Sequence, residues 1–359
     1  MDLKSIYKGK KVFVTGHTGF KGSWLITWLR LLDAQIMGFA LSPENSFDLY
    51  DSINGDSFCK SVISDIRDFE KLKSEILSFK PDFIFHLAAQ PLVRTSYDNP
   101  MYTFEVNVQG TVNVLDALRG YDRPCIAVMI TTDKVYDNLE DGHYYCETDR
   151  LGGYDPYSSS KACAELVIDS YRKSFFNPNQ YPLHKKSISV ARAGNVIGGG
   201  DWSKDRIMPD IVRALQSGNS IELRNPQSVR PWQHVLDPLH GYLVLAANQV
   251  LDPVKFADVY NFGPEPFDNL TVEELTKEAI RIWGKGMYRK EIANKKNHEA
   301  GLLHLDIQKA KKNLQWKPLH NSSEALAKTI SWYKEAPASN PSRTTMQQII
   351  EYNKKYYGV

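Results

Sequence analysis

Tyr157 and Lys161 stand four residues apart in Tyr154-Asp-Pro-Tyr157-Ser-Ser-Ser-Lys161, and the chain runs on as Ala-Cys-Ala-Glu-Leu-Val-Ile. That continuation predicts a helix on which the two side chains share one face. Alone, such a pair is an ordinary feature of an amphipathic helix. It gains meaning from a stretch far upstream, Gly16-His17-Thr18-Gly19-Phe20-Lys-Gly22, which follows a β-rich run at 11–15. Glycines at three-residue spacing between a strand and a helix permit a tight turn and close approach of backbone to a pyrophosphate. They also leave a helix N-terminus facing the phosphates. An ammonium beside a phenol favours the phenolate, so Tyr157 can take the proton of a sugar hydroxyl while a nicotinamide takes the hydride.

The elements that must position these groups alternate in type. Residues 20–32 have apolar spacing of a helix, 34–41 and 61–64 read as strands, and 69–79 as a helix. The nearly unbroken apolar run at 81–89 predicts a buried strand. A long amphipathic helix follows at 101–119, then a strand at 125–131, the Tyr157 helix, and a strand at 187–193. This order predicts an α/β fold, a doubly wound parallel Rossmann sheet with a smaller mixed C-terminal portion. After residue 193 short helices alternate with Pro, Gly and Asn turns. Residues 1–193 are expected to form the dinucleotide-binding domain with the Tyr-Lys site. Residues 194–359 are expected to form mainly a substrate-binding domain, with some crossing back to the sheet. The stretch 289–317 is rich in basic residues, but Glu291, Glu299 and Asp306 interrupt it, so it reads as solvated helix faces.

Bulk properties exclude several classes. In 359 residues, 44 Lys and Arg face 42 Asp and Glu, and a net charge of +2 supports neither a nucleic-acid partner nor an acidic membrane surface. The N-terminus is polar and leads straight into a strand, unlike a secretory signal. The most apolar window, 24–41, is broken by Arg30, Asp33 and Gln35, against a membrane span. Cys59, Cys125, Cys146 and Cys163 lack metal-ligand spacing and read as reduced thiols of a cytoplasmic enzyme, with no metal expected.

Two positions leave cofactor choice open. An acid usually ends the second strand to hold the adenosine ribose, whereas this strand ends Ala-Leu-Ser42-Pro-Glu44. Glu44 displaced into the role, or Ser42 as a weaker partner, would serve, and NAD is not separated from NADP. Asp65 and Ile66 either meet the adenine edge, or Asp65 is a plain helix cap.

Thr-Gly-x-x-Gly-x-x-Gly, His86-Leu87-Ala88-Ala89, Asn107-Val-Gln-Gly-Thr111, Tyr157-x-x-x-Lys161 and Arg192-Ala-Gly-Asn195-Val-Ile-Gly198 stand in this order. Together they resemble the extended short-chain dehydrogenases/reductases over nearly the whole chain. Within that family, Thr131-Thr132-Asp133-Lys134-Val-Tyr136 and Leu151-Gly-Gly-Tyr-Asp-Pro-Tyr157 are most similar to the nucleotide-sugar 4,6-dehydratases, on the branch that acts on CDP-D-glucose.

The resemblance implies NAD as cofactor, held by Gly16, His17, Thr18, Gly19, Phe20, Gly22, Asp65, Ile66, Leu87, Ala88, Ala89, Asn107, Tyr157 and Lys161. It implies that Tyr157 takes the C4 hydroxyl proton as hydride leaves C4, with Thr132 on that oxygen and Lys161 on the nicotinamide ribose. Asp133 would then protonate the departing C6 hydroxyl, and hydride would return to C6. Lys134 stands where the thymidine-nucleotide enzymes carry Glu; it is either the C5 base or a charged stabiliser of the enolate. A surface ion pair between Asp133 and Lys134 is the bland alternative. The nucleotide-sugar would meet Gln90, Arg94, Asn195, Arg206, Arg230, His234 and Asn261, arginine suiting a diphosphate through bidentate bonds. Helices at 101–119 and 157–174 resemble those of a four-helix subunit interface, implying a homodimer or homotetramer.

The competing readings are a 4,6-dehydratase for another nucleotide, a UDP-sugar 4-epimerase, and a non-catalytic dinucleotide-sensing scaffold. Asp133-Lys134 speaks against the epimerase, which eliminates no water. The retained Tyr-Lys pair speaks against the scaffold.

Overall fold

The structure, a computed structural model, describes residues 2–290 and 302–358. Residues 291–301 of the basic stretch therefore lie outside the described residues. Seven strands form the central sheet: β1 (Lys11–Thr15), β2 (Gln35–Ala40), β3 (Cys59–Ile63), β4 (Phe83–His86), β5 (Cys125–Ile130), β6 (Lys186–Ala193) and β7 (Val259–Phe262). Their order is β3-β2-β1-β4-β5-β6-β7, with every neighbouring pair parallel. Val12 lies between Ile36 of β2 and Phe83 of β4, which fixes the register at the centre.

The strands are apolar on both sides because both sides are covered. Val12, Val14, Phe83, Phe85, Val128 and Ile130 belong to one core, and their alternates Phe13, Ile84, Ala127 and Met129 to the other. Successive side chains point to opposite faces of a strand, so one short run supplies two cores. Helices α1 (Phe20–Leu31), α2 (Phe69–Phe79), α3 (Gly110–Arg119) and α4 (Pro156–Ser174) connect the strands. Trp24 and Trp28 of α1 enter the first core, and Leu72, Ile76, Val114, Leu118 and Ile168 of α2 to α4 the second. Each buried Leu, Ile or Phe contributes roughly 1.5–3 kcal/mol.

The later chain adds α5 (Ile207–Ser217), α6 (Leu236–Leu251), α7 (Val272–Trp283), α8 (Ser322–Ser339) and α9 (Pro341–Tyr357). Thr271 and Asn321 start α7 and α8 with reciprocal capping boxes to Glu274 and Glu324. Helix α6 lies over β5 and β6, and α9 returns to α1, where Trp28 meets Tyr352 edge-on at 5.4 Å between ring centres. Strand β7, which the sequence reading did not assign, pairs with β6 from Val190↔Val259 to Ala193↔Phe262.

One element departs from expectation. The helix expected at 101–119 is broken by a wide π-helical turn, Glu105–Gln109, between Pro100–Phe104 and α3. Such turns re-aim side chains, and this one carries Asn107.

Among the described residues no helix is long and apolar enough to cross a membrane, no three His, Cys, Asp or Glu groups are arranged to hold a metal, and the four cysteines are free.

Candidate active site

Asp155 caps α4, its carboxylate accepting from the Ser158 backbone at 2.9 Å, and Pro156 occupies the first turn. That start sets Tyr157 and Lys161 on the buried side of the helix, 8% and 7% exposed, at the C-terminal ends of β4 to β6. Lys161 Nζ reaches the Ile130 carbonyl at 3.4 Å. Burial pushes the Tyr157 phenol up to about 12, partly opposed by a hydrogen bond with Thr132. The sequence reading had the lysine lowering this phenol; burial outweighs it here, and Thr132 and Arg206 are the groups that pull downward. Burial also brings Lys161 down to about 8, with Glu165 acting the other way.

Thr132, Asp133 and Lys134 leave β5 in a single tight helical turn. Asp133 Oδ1 accepts from Thr132 Oγ1 at 2.8 Å and Lys134 Nζ at 3.3 Å, while Oδ2 accepts from Asn195 Nδ2 at 3.2 Å. The carboxylate is only 2% exposed and rests against Gly194, where any Cβ would overlap it. Gln233 Nε2 fastens this approach by donating to the Gly194 carbonyl at 2.8 Å.

A cavity of about 1100 Å³ is lined by Thr132, Lys134, Tyr157, Lys161 and Asn195, and Asp133 lies behind them, bonded to Thr132, Lys134 and Asn195. The cavity is also lined by Gly16, Thr18, Gly19, Phe20, Gly22, Asp65, Ile66, Leu87, Ala88 and Ala89, together with Glu44. Gly16 has φ +75° and lies so near β4 that a Cβ would be 2.7 Å from Ala88 N. A Cβ on Gly22 would stand 2.1 Å from the Gly16 carbonyl oxygen, which is how α1 closes on the loop. Gly19 starts α1 without a side-chain cap, leaving free N–H groups beside the cavity for an anion. These residues fit a dinucleotide. Of the two readings of Asp65, the helix cap is corrected: Asp68 caps α2, and Asp65 faces the cavity, paired with Arg67 at 2.8 Å.

Arg94, Asn195, Arg206 and Arg230 also line the cavity, Arg206 near enough to Tyr157 to act on its phenol. Arg206 pairs with Asp201 at 3.1 Å. Asp205 bridges Arg94 at 2.9 Å and Arg224 at 3.1 Å, joining two sides of the mouth. Arg224 was not foreseen; it follows a short strand, Ile221–Leu223, that no motif marked. Lys21 was not foreseen either, although it stands inside the glycine motif. Its ammonium donates to Tyr242 Oη at 2.8 Å, and burial, then Lys161 and Arg206, bring it down to about 7.

Several expected ligand residues turn elsewhere. His234 is fully buried between Trp24 and His320, because Gln233-His234 pairs with Val196-Ile197 and alternation sends Gln233 to Gly194 and His234 into the core. Asn261, also fully buried in β7, bonds Tyr136 Oη and the carbonyls of Tyr145 and Asp306. Gln90 is spent on Leu92 and Thr103, so it shapes the loop after β4. Asn107 braces that loop from the π turn, accepting from Gln90 N at 2.8 Å and donating to Ser160 Oγ at 2.8 Å. His17 brings only its backbone to the glycine loop; its ring bonds Ser61 Oγ at 2.7 Å, and burial lowers it to about 4.

Fold and cavity define a nucleotide-dependent enzyme of Rossmann type, and residues 13–329 match the family model described as GDP-mannose 4,6 dehydratase. The chain belongs to this family, within the extended short-chain dehydrogenases/reductases. It is 46% identical over 331 residues to the CDP-glucose 4,6-dehydratase of Salmonella typhimurium, covering 92% of each chain. The dTDP-glucose 4,6-dehydratase DesIV of Streptomyces venezuelae, solved with NAD bound, superposes with a TM-score of 0.75 at 26% identity, covering 90% of this chain and 97% of that one. UDP-glucose 4-epimerase of Thermotoga maritima also gives 0.75, at 20% identity and over 91% and 99% of the two chains, a likeness of fold alone.

Proposed function

We propose that this protein is an NAD-dependent CDP-D-glucose 4,6-dehydratase, removing water to give CDP-4-keto-6-deoxy-D-glucose. Dehydratase and epimerase relatives share the fold equally, so the observation that carries the reading is the Asp133–Lys134 pair, 3.3 Å apart, beside Thr132 and Tyr157. An epimerase has no use for a second acid/base pair. The cytidine assignment rests on the 46% identical relative.

Bound NAD would supply the hydride acceptor at C4 and the donor at C6. Tyr157, hydrogen-bonded with Thr132, would take the C4 hydroxyl proton. Its phenol stands high, at about 12, before substrate binds, so it would have to give up its own proton, with the Lys161 ammonium and the Thr132 hydroxyl favouring the phenolate, before it takes that one. The ketone acidifies C5–H. Within the contacting pair a proton would first pass from the Lys134 ammonium to the Asp133 carboxylate; the neutral Lys134 would then receive the C5 proton while Asp133 delivers its proton to the C6 oxygen, which restores the ion pair. Arg94, Arg206, Arg224 and Arg230 would hold the diphosphate end, and Glu44 and Asp65 the adenosine end of the cofactor.

Residues 1–193 would mainly bind the dinucleotide and residues 194–359 mainly the nucleotide-sugar, a division supported by the glycine loop lying in the first part and Arg206, Arg224 and Arg230 in the second. Exposed Met101 and Leu166, 75% and 58% accessible, support pairing through those helices into a homodimer or larger homo-oligomer. Free cysteines support a cytoplasmic location.

The test is to incubate the protein and NAD+ with CDP-, dTDP-, UDP- and GDP-linked hexoses, following water loss by mass spectrometry and the alkali-induced absorbance of a 4-keto sugar. Product from CDP-glucose is expected. Product from another nucleotide alone removes the cytidine assignment, and an isomer of unchanged mass removes the dehydratase.

A further inference from the structure

Tyr157, Lys161 and Glu165 follow one another at four-residue intervals on α4, and the third has no place in the chemistry above. Glu165 and Arg192 of β6 form an ion pair in which each side chain is 3% exposed. Arg192 Nε donates to the Glu165 carboxylate at 2.8 and 3.0 Å, and its terminal nitrogen makes a further bond to Oε2. Each ion then reaches one shoulder of the Thr132-Asp133-Lys134 turn. Glu165 Oε1 accepts from Thr131 Oγ1 at 2.6 Å, immediately before the turn. Arg192 donates to Tyr136 Oη at 2.6 Å, two residues after it, and stacks on the Tyr136 ring at 4.7 Å. Tyr136 Oη passes on to Asn261 Oδ1 at 2.7 Å, which anchors the chain of bonds in β7.

We infer that the Glu165–Arg192 pair is a positioning unit for the reaction: it clamps both ends of the acid/base turn. This rests on the functional reading above. A buried pair is weak evidence for stability, because desolvation offsets much of the attraction; its value here is geometric. The charged and titratable groups that act on Lys161 are Glu165 of its own helix, Lys21 of α1 and His86 at the end of β4. Burial keeps His86 neutral, down to about 3. Burial and Lys161 itself weaken Lys21 as a cation near pH 7. Glu165 is the carboxylate that raises Lys161 against its burial. Removing it leaves Arg192 without its carboxylate partner, held only by Tyr136 and the Glu147 carbonyl.

Kinetics of Glu165→Gln, Glu165→Asp and Thr131→Val on CDP-glucose from pH 6 to 10, with melting temperature and NAD binding read separately, test this. For Glu165→Gln, kcat is expected to fall at least about 30-fold with KM within about threefold. The alkaline limb of its pH profile is expected about one pH unit lower. Glu165→Asp should restore part of kcat, and Thr131→Val should lose about three- to tenfold in kcat with the limb unmoved. A folded Glu165→Gln with the wild-type kcat and limb, or with its whole loss in KM, overturns the proposal. If Glu165→Gln does not fold, wild-type kcat in both Thr131→Val and Tyr136→Phe overturns it. A wild-type protein inert on CDP-glucose overturns the functional reading and this proposal together; an active wild type with unaltered variants overturns the proposal alone.

Discussion

A methyl group placed on Gly194 would stand 2.0 Å from Asp133 Cγ and 2.1 and 2.2 Å from its two carboxylate oxygens. The space for the acid is thus made by a residue 61 positions away, held in place by Gln233. Gly194→Ala must push the carboxylate away from Asn195 or push the backbone away from Gln233. It is expected to lower kcat by on the order of 10²-fold, the usual scale for a misplaced acid/base group. Stability should fall by about 1–3 kcal/mol, as for overpacking. Kinetics and urea denaturation read the two effects separately.

Tyr157→Phe removes the phenol oxygen while leaving the ring to pack. Turnover is expected to fall about 10²- to 10⁴-fold. NAD binding, measured by titration calorimetry, should change little, since the glycine loop is untouched. Unchanged turnover would take Tyr157 out of the reaction.

Lys21 is held below its ordinary pKa, at about 7, chiefly by burial. Above that pH the folded protein has released a proton that the unfolded chain keeps up to about 10.4. The unfolded state therefore binds more protons in that window, and stability rises with pH there. Compared with Lys21→Met, the wild type should gain on the order of 2 kcal/mol between pH 6.5 and 9. Urea unfolding of both proteins at the two pH values measures the difference, and parallel behaviour would refute the assignment.

Arg94 and Arg224 meet on Asp205 across the cavity mouth. If both receive the diphosphate end, Arg94→Ala and Arg224→Ala should each raise KM about tenfold, the loss of one charge-assisted hydrogen bond. kcat should stay within about twofold, because neither reaches the reacting carbons. A fall in kcat at constant KM would move them into the chemistry instead.

Features carried by composition along one strand or one helix were legible in the sequence. The apolar runs of β1, β4 and β5 and the spacing of Tyr157 and Lys161 needed only local reasoning, and so did the glycine loop. Features that depend on register across the fold were not. His234 and Asn261 lie within recognisable motifs, yet a two-residue alternation decides which neighbour faces the cavity, and only the strand partner reveals its phase. Gly194 stands between Arg192 and Asn195 in the sequence, where nothing local marks it as the neighbour of Asp133. The π turn has no composition of its own, so Asn107 read as a ligand rather than a brace.

Strand β7 ends at Phe262, while the strand it completes, β6, ends at Ala193. On the ribosome β6 must therefore emerge and wait for nearly seventy further residues before its outer edge finds a partner. All eight of its residues are buried in the finished protein. A nascent chain paused between these points presents an unpaired strand edge, the kind of surface that recruits chaperones or other chains. The order of synthesis thus makes this edge the place where production of the protein is most exposed to failure.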